Sequence, residues 1–120
     1  MLWVRYGALL MLLGVALGAF GGHALKDRLS IESQRIYQTA SFYHLMHGLA
    51  LLAVGWLATL RPMEPLVPRA GTAFILGILL FSGSLYLLAI TGVKKLGLIT
   101  PFGGLAFLLG WLWLALSARS

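Results

Sequence analysis

The residues of this chain best suited to chemistry are its three histidines. His44 and His47 are three positions apart, so a helix places them about 60° apart on one face. Neutral imidazole binds zinc, copper or iron, and with His23 as a third ligand these side chains could hold a metal, ligate haem or handle protons. An HxxH pair lacks the carboxylate that an H-E-x-x-H metal site supplies. We therefore favour hydrogen bonds from each histidine to a backbone carbonyl, a serine or a tyrosine.

Hydroxyl side chains form a second group with recognisable spacing. Ser82 and Tyr86 are four positions apart and can face one neighbouring helix, with Ser84 between them, while Tyr43 directly precedes the histidine pair. Such a set could line a pore or a ligand pocket. In membrane helices, however, serine and tyrosine more often hydrogen-bond to a neighbouring helix. We favour that packing role here.

Three lysines and one helix start are candidates for contact with lipid headgroups. Lys26, Lys94 and Lys95 lie between apolar stretches, where cations attract anionic lipids. Thr100 followed by Pro101 predicts a capped helix start, and the exposed N–H groups of such a start can bind a phosphate. An ordinary cap explains the same two residues, and we favour it.

The distribution of charge shows where these side chains must lie. All Asp, Glu, Lys and Arg residues fall at the ends of, or between, four uncharged stretches: residues 6–22, 36–60, 70–93 and 96–118. About 20 apolar residues are enough for a helix to cross a membrane. The chain is 60% hydrophobic and 10% charged, with a mean hydropathy of +0.93. The sequence therefore predicts a membrane protein with short loops.

Four spans are predicted, at about residues 2–22, 40–60, 69–91 and 98–118, within one transmembrane domain over 1–120. The fold class is all-α, an integral membrane four-helix up-down-up-down bundle. Ser30 is the predicted N-cap of a long helix that continues to Leu60. Alternation of the spans brings the histidines and hydroxyls toward one face of the membrane, and polar groups there should turn to the bundle interior.

Glycines repeat every seven residues along three of the spans. A seven-residue repeat of small side chains keeps one seam facing a neighbour and lets helix backbones approach closely. The seams are Gly7, Gly14 and Gly21; Gly48 and Gly55; and Gly103 and Gly110.

Four segments in order resemble a known family. They are GAFGGHALK at 18–26, YQTASFYHLMHGLALL at 37–52, LFSGSLYLLAITG at 80–92 and LGLITPFGGLAFLLGW at 96–111. Together they are similar to the YgdD/YwdK-type family of small bacterial inner-membrane proteins, a domain of unknown function with small animal transmembrane relatives. The resemblance implies a four-helix membrane protein with no assigned activity. It singles out His23, Lys26, Tyr43, His44, His47, Ser82, Ser84, Tyr86, Thr100, Pro101 and Gly104.

Three functions remain open from the sequence. The leading hypothesis is a non-enzymatic protein without a cofactor that acts through lipids, through copies of itself or through a larger membrane complex. The alternatives are an oligomeric transporter or channel with a His/Ser/Tyr-lined path, and a membrane protein that binds a metal, haem or quinone. No span contains an acid, which argues against a carboxylate-driven carrier. The net charge of +6 is spread over the loops, so we expect no nucleic-acid partner.

Overall fold

A computed structural model describes residues 1–118, which contain helices and no strand. Four of its helical segments are long and apolar enough to cross a membrane: span 1, Leu2–His23; span 2, Ile31–Leu60; span 3, Leu66–Thr91; and span 4, Lys94–Ser117. Within them lie α1 (Leu2–His23), α2 (Ile31–Leu60), α3 (Leu66–Gly77), a π-helical turn (Ile78–Ser82), α4 (Gly83–Thr91), a 3₁₀ turn (Lys94–Leu98) and α5 (Thr100–Ser117). The predicted all-α fold with four spans is confirmed.

Helix α2 is the longest element and begins where the sequence predicts. The Ser30 hydroxyl accepts a hydrogen bond from the backbone N–H of Ser33 at 3.1 Å, and Glu32 lies in the first turn, where a negative charge favours the positive end of the helix dipole. Its 30 residues make a helix of about 45 Å at 1.5 Å per residue, longer than a hydrocarbon core of about 30 Å. The first turns of α2 therefore extend beyond the core.

Two predicted boundaries differ from the structure. Span 3 starts at Leu66 instead of about residue 69, because Pro68 falls in the first turn, where a missing N–H costs no helix bond. Thr100 is the first residue of α5 and does not cap it; the cap position is Ile99, which makes no side-chain cap bond. The hydroxyl of Thr100 bonds a side chain of span 3 instead, as described below.

The four spans pack in chain order, with spans 2 and 3 at the centre. Span 1 packs on span 2, span 2 on span 3 and span 3 on span 4, and the molecule measures 50 × 26 × 17 Å along its principal axes. Spans 2 and 3 are each 39% buried in their most apolar stretch, against 11% for span 1 and 17% for span 4. The two outer spans therefore turn most of their surface to the surroundings.

The predicted glycine seams are confirmed as places of close helix approach. A Cβ atom added to Gly48 would lie 2.8 Å from the sulfur of Met11 in span 1. One added to Gly103 would lie 2.2 Å from the backbone nitrogen of Phe81 in span 3. A side chain at either position would force neighbouring atoms apart, so these glycines allow the observed spacing of the helices.

The π-helical turn in span 3 was not predicted. Between α3 and α4, residues Ile78–Ser82 adopt π-helical hydrogen bonding, and a single such turn inserts one extra residue into a helix. Gly103 of span 4 packs against this turn at Phe81. The turn thus lies at a close contact between spans 3 and 4.

Candidate functional site

His44 joins three spans through its two ring nitrogens. Its Nε2 lies 2.8 Å from the carbonyl oxygen of Leu10 in span 1, and its Nδ1 lies 2.9 Å from the hydroxyl of Tyr86 in span 3. A carbonyl can only accept, so Nε2 carries the proton and donates, while Nδ1 of the neutral ring accepts from Tyr86. With 1% of its surface exposed, His44 has both nitrogens occupied by protein partners.

His47 uses the opposite tautomer. Its Nδ1 donates to the carbonyl of Tyr43 one turn earlier at 2.8 Å, so Nε2 is left as the acceptor for the indole N–H of Trp111, at 2.9 Å. Its ring also stacks on Phe107, with 3.6 Å between ring centroids and 12° between planes. His47 is 2% exposed and ties span 2 to span 4.

An aromatic cluster surrounds His47, and sequence reasoning missed most of it. Tyr43 was predicted as a site residue, and its ring lies 4.7 Å from that of Phe81 between centroids. The remaining members were not singled out: Phe74, Phe81, Phe107 and Trp111. The sequence does show that Phe107 and Trp111 are four positions apart, a spacing that places two residues on the same face of a helix. Nothing in the sequence indicated that this face would meet His47.

Of the two serines in span 3, Ser84 makes side-chain hydrogen bonds and Ser82 does not. Ser84 donates to the carbonyl of Phe81 at 3.0 Å, so its hydroxyl accepts from Thr100 Oγ1, at 2.6 Å. This bond joins spans 3 and 4. The packing role was predicted for Ser82 and Tyr86, and of these two Tyr86 bonds His44 across spans 2 and 3. Ser82 is completely buried in the π-helical turn, and its hydroxyl has no hydrogen-bond partner among residues 1–118.

The candidate metal set is not brought together. His23 is exposed at the end of α1, while His44 and His47 are buried inside the bundle with their nitrogens bonded to protein groups. Among residues 1–118, no group of three or more His, Cys, Asp or Glu side chains could hold a metal ion. His23 is not brought to the other two histidines, because it lies exposed at the end of α1, outside the bundle interior.

The predicted gathering of polar groups at one face is only partly right. Thr100 lies at that face, with Ser84 bonded to it. Trp111, the partner of His47, is about 16 Å further along α5 at 1.5 Å per residue, which is near the middle of a core about 30 Å thick. The histidine contacts therefore lie deep in the membrane, and the hydroxyl contacts lie near its surface.

The candidate headgroup lysines lie in two connections on that side of the membrane. Lys26 is exposed in the connection between α1 and α2, and Lys94 and Lys95 are exposed in the 3₁₀ turn before α5. Span alternation places both connections on one side of the membrane. The nearby hydroxyl of Thr100 is bonded to Ser84 and is not turned toward them.

Comparison with known proteins places this arrangement in a family. The family described as "Protein of unknown function (DUF423)" matches residues 17–104. The chain belongs to this family. Of its DUF423 relatives, the "UPF0382 membrane protein" of Staphylococcus epidermidis is 43% identical over 115 residues, covering 96% of this chain and 93% of the relative. The "UPF0382 membrane protein YwdK" of Bacillus subtilis is 40% identical over 116 residues, covering 97% and 94%. No solved structure matches the chain.

The comparisons confirm the resemblance to the YwdK-type family that the sequence segments indicated. The DUF423 match runs from the later part of span 1 to the start of span 4, so it includes the histidines, the serines of span 3 and Thr100. With relatives named as membrane proteins and four spans of its own, the chain is a multi-pass protein of the bacterial cell membrane.

Proposed function

We propose that this DUF423 protein catalyses no reaction and acts by association in the membrane, with lipids, with further copies of itself or with a larger membrane complex. One observation carries the proposal: the two histidines inside the bundle bond only to other groups of the protein. Both nitrogens of His44 and both nitrogens of His47 have protein partners. A catalytic base or a ligand needs a free lone pair directed at a substrate or a metal.

The outer spans supply a surface through which association can occur. Exposed apolar side chains run along spans 1 and 4. Those with more than half of their surface exposed include Leu9, Leu12 and Val15 on span 1 and Phe102, Leu105, Leu108 and Leu112 on span 4. Lipid tails are as apolar as these side chains, so helix association in a membrane depends on packing and hydrogen bonds instead of the hydrophobic effect. Specific contacts on spans 1 and 4 would therefore depend on shape complementarity between the packed side chains.

A transport path through the same residues has less support. His44, His47 and Ser82 are each exposed by 2% or less, and the two histidines would have to give up hydrogen bonds that join spans before water or an ion could reach them. In a membrane such bonds contribute about 0.6 kcal/mol on average and up to about 1.7 kcal/mol. Opening a path would also separate the packed rings around His47.

The proposal is tested by asking what touches the outer spans in a native membrane. A photo-crosslinking amino acid replaces Leu12 on span 1 or Leu108 on span 4, which are 68% and 69% exposed. The matched control carries the same amino acid at Met63, which is 91% exposed in the connection between spans 2 and 3. The protein is then extracted with its surrounding lipids by an amphipathic polymer and examined by native mass spectrometry.

We expect a discrete protein adduct from at least one outer-span position that is absent from the Met63 control, or a lipid class enriched over its share of the bulk membrane. Recovery of only single copies, with lipids in bulk proportions and no position-specific adduct, would refute the proposal. Loss of a defined enzymatic turnover on replacing both histidines would also count against it.

A further inference from the structure

A polar cavity lies between the end of span 1 and the first turns of α2. Its volume is about 300 Å³, at the lower end of the range of ligand pockets. It is separate from the bonded histidines and from the aromatic cluster. The residues that line it are Gly18, Gly21, Gly22, Lys26, Leu29, Gln34, Tyr37, Gln38 and Ser41.

The cavity exists because two of its glycines have no side chain. A Cβ atom added to Gly22 would meet nothing within 4 Å, and one added to Gly18 would lie 3.4 Å from the Ser41 hydroxyl, an ordinary contact. Gly21 differs, because its Cβ would lie 2.2 Å from the ring of Tyr37. Gly21 therefore permits the helices to pack, while Gly18 and Gly22 leave space beside them.

The wall of the cavity is held in place by hydrogen bonds. The side-chain amide of Gln34 donates to the carbonyl of Lys26 at 2.6 Å and to the carbonyl of Leu29 at 3.1 Å, which fixes the connection between spans 1 and 2 against α2. The hydroxyl of Tyr37 donates to the carbonyl of Leu17 in span 1. The exposed side chains of Lys26 and Gln38 border this fixed wall.

The depth of the cavity indicates a ligand with one polar and one apolar end. From Gly18 to His23, the last residue of α1, is about 7.5 Å at 1.5 Å per residue, and Lys26 lies beyond that end in the connection. The headgroup region of a bilayer is only about 5 to 8 Å thick on each side. A cavity of this length therefore extends from the headgroup region to the start of the acyl chains. A free ion has no apolar part that would occupy its inner end.

The charge of the lining indicates an anionic head. Lys26 is the charged residue among those that line the cavity, and the exposed amide of Gln38 adds a hydrogen-bond donor, whereas Gln34 and Tyr37 already donate to backbone carbonyls. Asp27 and Arg28, next in the connection, carry opposite charges and do not line the cavity, so Lys26 is the cation placed to attract an anion there.

We propose that this cavity binds the phosphate and glycerol region of an anionic glycerophospholipid, with the phosphate at Lys26 and the ester region beside Gln38 and Ser41. The inference rests on the proposed association with lipids and specifies one site and one lipid class for it. The lipid tails would continue past the small surface of Gly18 along the groove between α1 and α2.

The test compares binding of phosphatidylglycerol and phosphatidylcholine to the purified full chain by native mass spectrometry, after titration of each lipid into detergent. We expect the wild type to retain phosphatidylglycerol preferentially. Lys26→Gln should weaken that preference about fivefold, as expected for the loss of one cation near the headgroups. Gly22→Leu should weaken it as well by filling the cavity, because the space beside Gly22 is open.

The matched controls leave the lining of the cavity unchanged. Arg28→Gln removes an exposed cation from the same connection as Lys26, and Gly97→Leu adds a side chain in the 3₁₀ turn before α5, where a Cβ likewise meets nothing within 4 Å. Both should keep the wild-type preference. An unchanged melting temperature of every variant in phosphatidylcholine establishes that the fold is intact, and Lys26→Gln in an exposed connection gives a result even where Gly22→Leu lowers stability.

Equal retention of the two lipids by the wild type would overturn this inference, as would full preference in both cavity variants. Displacement of the lipid by millimolar inorganic phosphate or glycerol phosphate would overturn it too, because it would indicate a site for a free phosphate compound. Absence of lipid preference in the wild type, together with position-specific adducts at the outer spans, would refute the cavity assignment alone. Absence of both would refute the broader proposal of association.

Discussion

The hydrogen bond between His44 and Tyr86 should contribute measurably to the stability of the bundle. The two atoms are 2.9 Å apart, and both residues are buried, so removal of one partner leaves the other without a bond in a region that water does not reach. Tyr86→Phe removes the hydroxyl and leaves Nδ1 of His44 unpaired. An unpaired buried group costs about 1 to 3 kcal/mol, and we expect the low end, about 1 to 2 kcal/mol.

His44→Phe should cost more, because it removes two bonds that join different spans. It leaves the Tyr86 hydroxyl without this acceptor and also breaks the contact with the Leu10 carbonyl in span 1. The Leu10 carbonyl still accepts the backbone hydrogen bond from the following turn of its own helix, so breaking its bond to His44 does not leave it unpaired. We expect a total of about 2 to 3 kcal/mol, from two bonds of about 1 kcal/mol each and the imperfect fit of the larger ring.

The double variant isolates the bond itself. If His44 and Tyr86 interact directly, the double variant should be less destabilised than the sum of the two single variants, by about 0.6 to 1.7 kcal/mol. The free energy of unfolding is measured by titration with sodium dodecyl sulfate in mixed micelles, followed by circular dichroism. Tyr6→Phe, at a tyrosine 39% exposed near the start of span 1, is the matched control and should change stability by less than about 0.5 kcal/mol.

Additive effects of the two substitutions, within about 0.3 kcal/mol, would refute the reasoning. They would mean that each side chain contributes through packing alone and that the bond between spans 2 and 3 is not made in the folded protein. A loss at Tyr6→Phe as large as that at Tyr86→Phe would refute it by another route, since hydroxyl removal would then be costly wherever it occurs.

Two further predictions use the contact between spans 3 and 4. Gly103→Ala places a Cβ 2.2 Å from the backbone nitrogen of Phe81, so we expect the free energy of unfolding to fall by about 1 to 3 kcal/mol or more in the same titration. The control Gly97→Ala should change it little, because its Cβ meets nothing within 4 Å. Equal effects of the two substitutions would contradict the observed helix spacing. Ser82→Ala removes a buried hydroxyl without a partner among residues 1–118 and should leave stability unchanged or raise it by up to about 1 kcal/mol. Ser84→Ala breaks the bond with Thr100 and should lower stability by about 1 kcal/mol. A loss at Ser82→Ala as large as that at Ser84→Ala would reveal a bond that the structure lacks.

The elements of this fold could be predicted because local properties determine them. Stretches without charge locate the spans, and Ser30 marks the start of α2 because its hydroxyl can satisfy the N–H of the first turn. The seven-residue repeat of glycines could also be read directly, since any helix places such residues along one seam. All three features depend on neighbours within the same helix, and the structure confirms all three.

The partners of the polar side chains could not be predicted, because they depend on how one helix is rotated and shifted against another. The bond from Trp111 to His47 requires the middle of span 4 to meet the middle of span 2. Thr100 has the sequence of a cap, yet its hydroxyl turns to Ser84, because the backbone of span 3 passes close enough to offer a partner. Sequence reasoning placed these residues on the right helices but not at the right contacts.

One turn of α2 contacts all three other spans, and this arrangement explains why histidine occurs twice there. His44 bonds to span 1 and span 3, and His47 bonds to span 4 and also lies with its ring centroid 5.4 Å from that of Phe74 in span 3. Apolar side chains pack almost equally well in several rotations when lipid surrounds the helices, since burial brings no hydrophobic gain. A hydrogen bond has direction, and an imidazole ring directs two of them to opposite sides. The hydrogen bonds of the two histidines therefore favour one relative arrangement of the four spans.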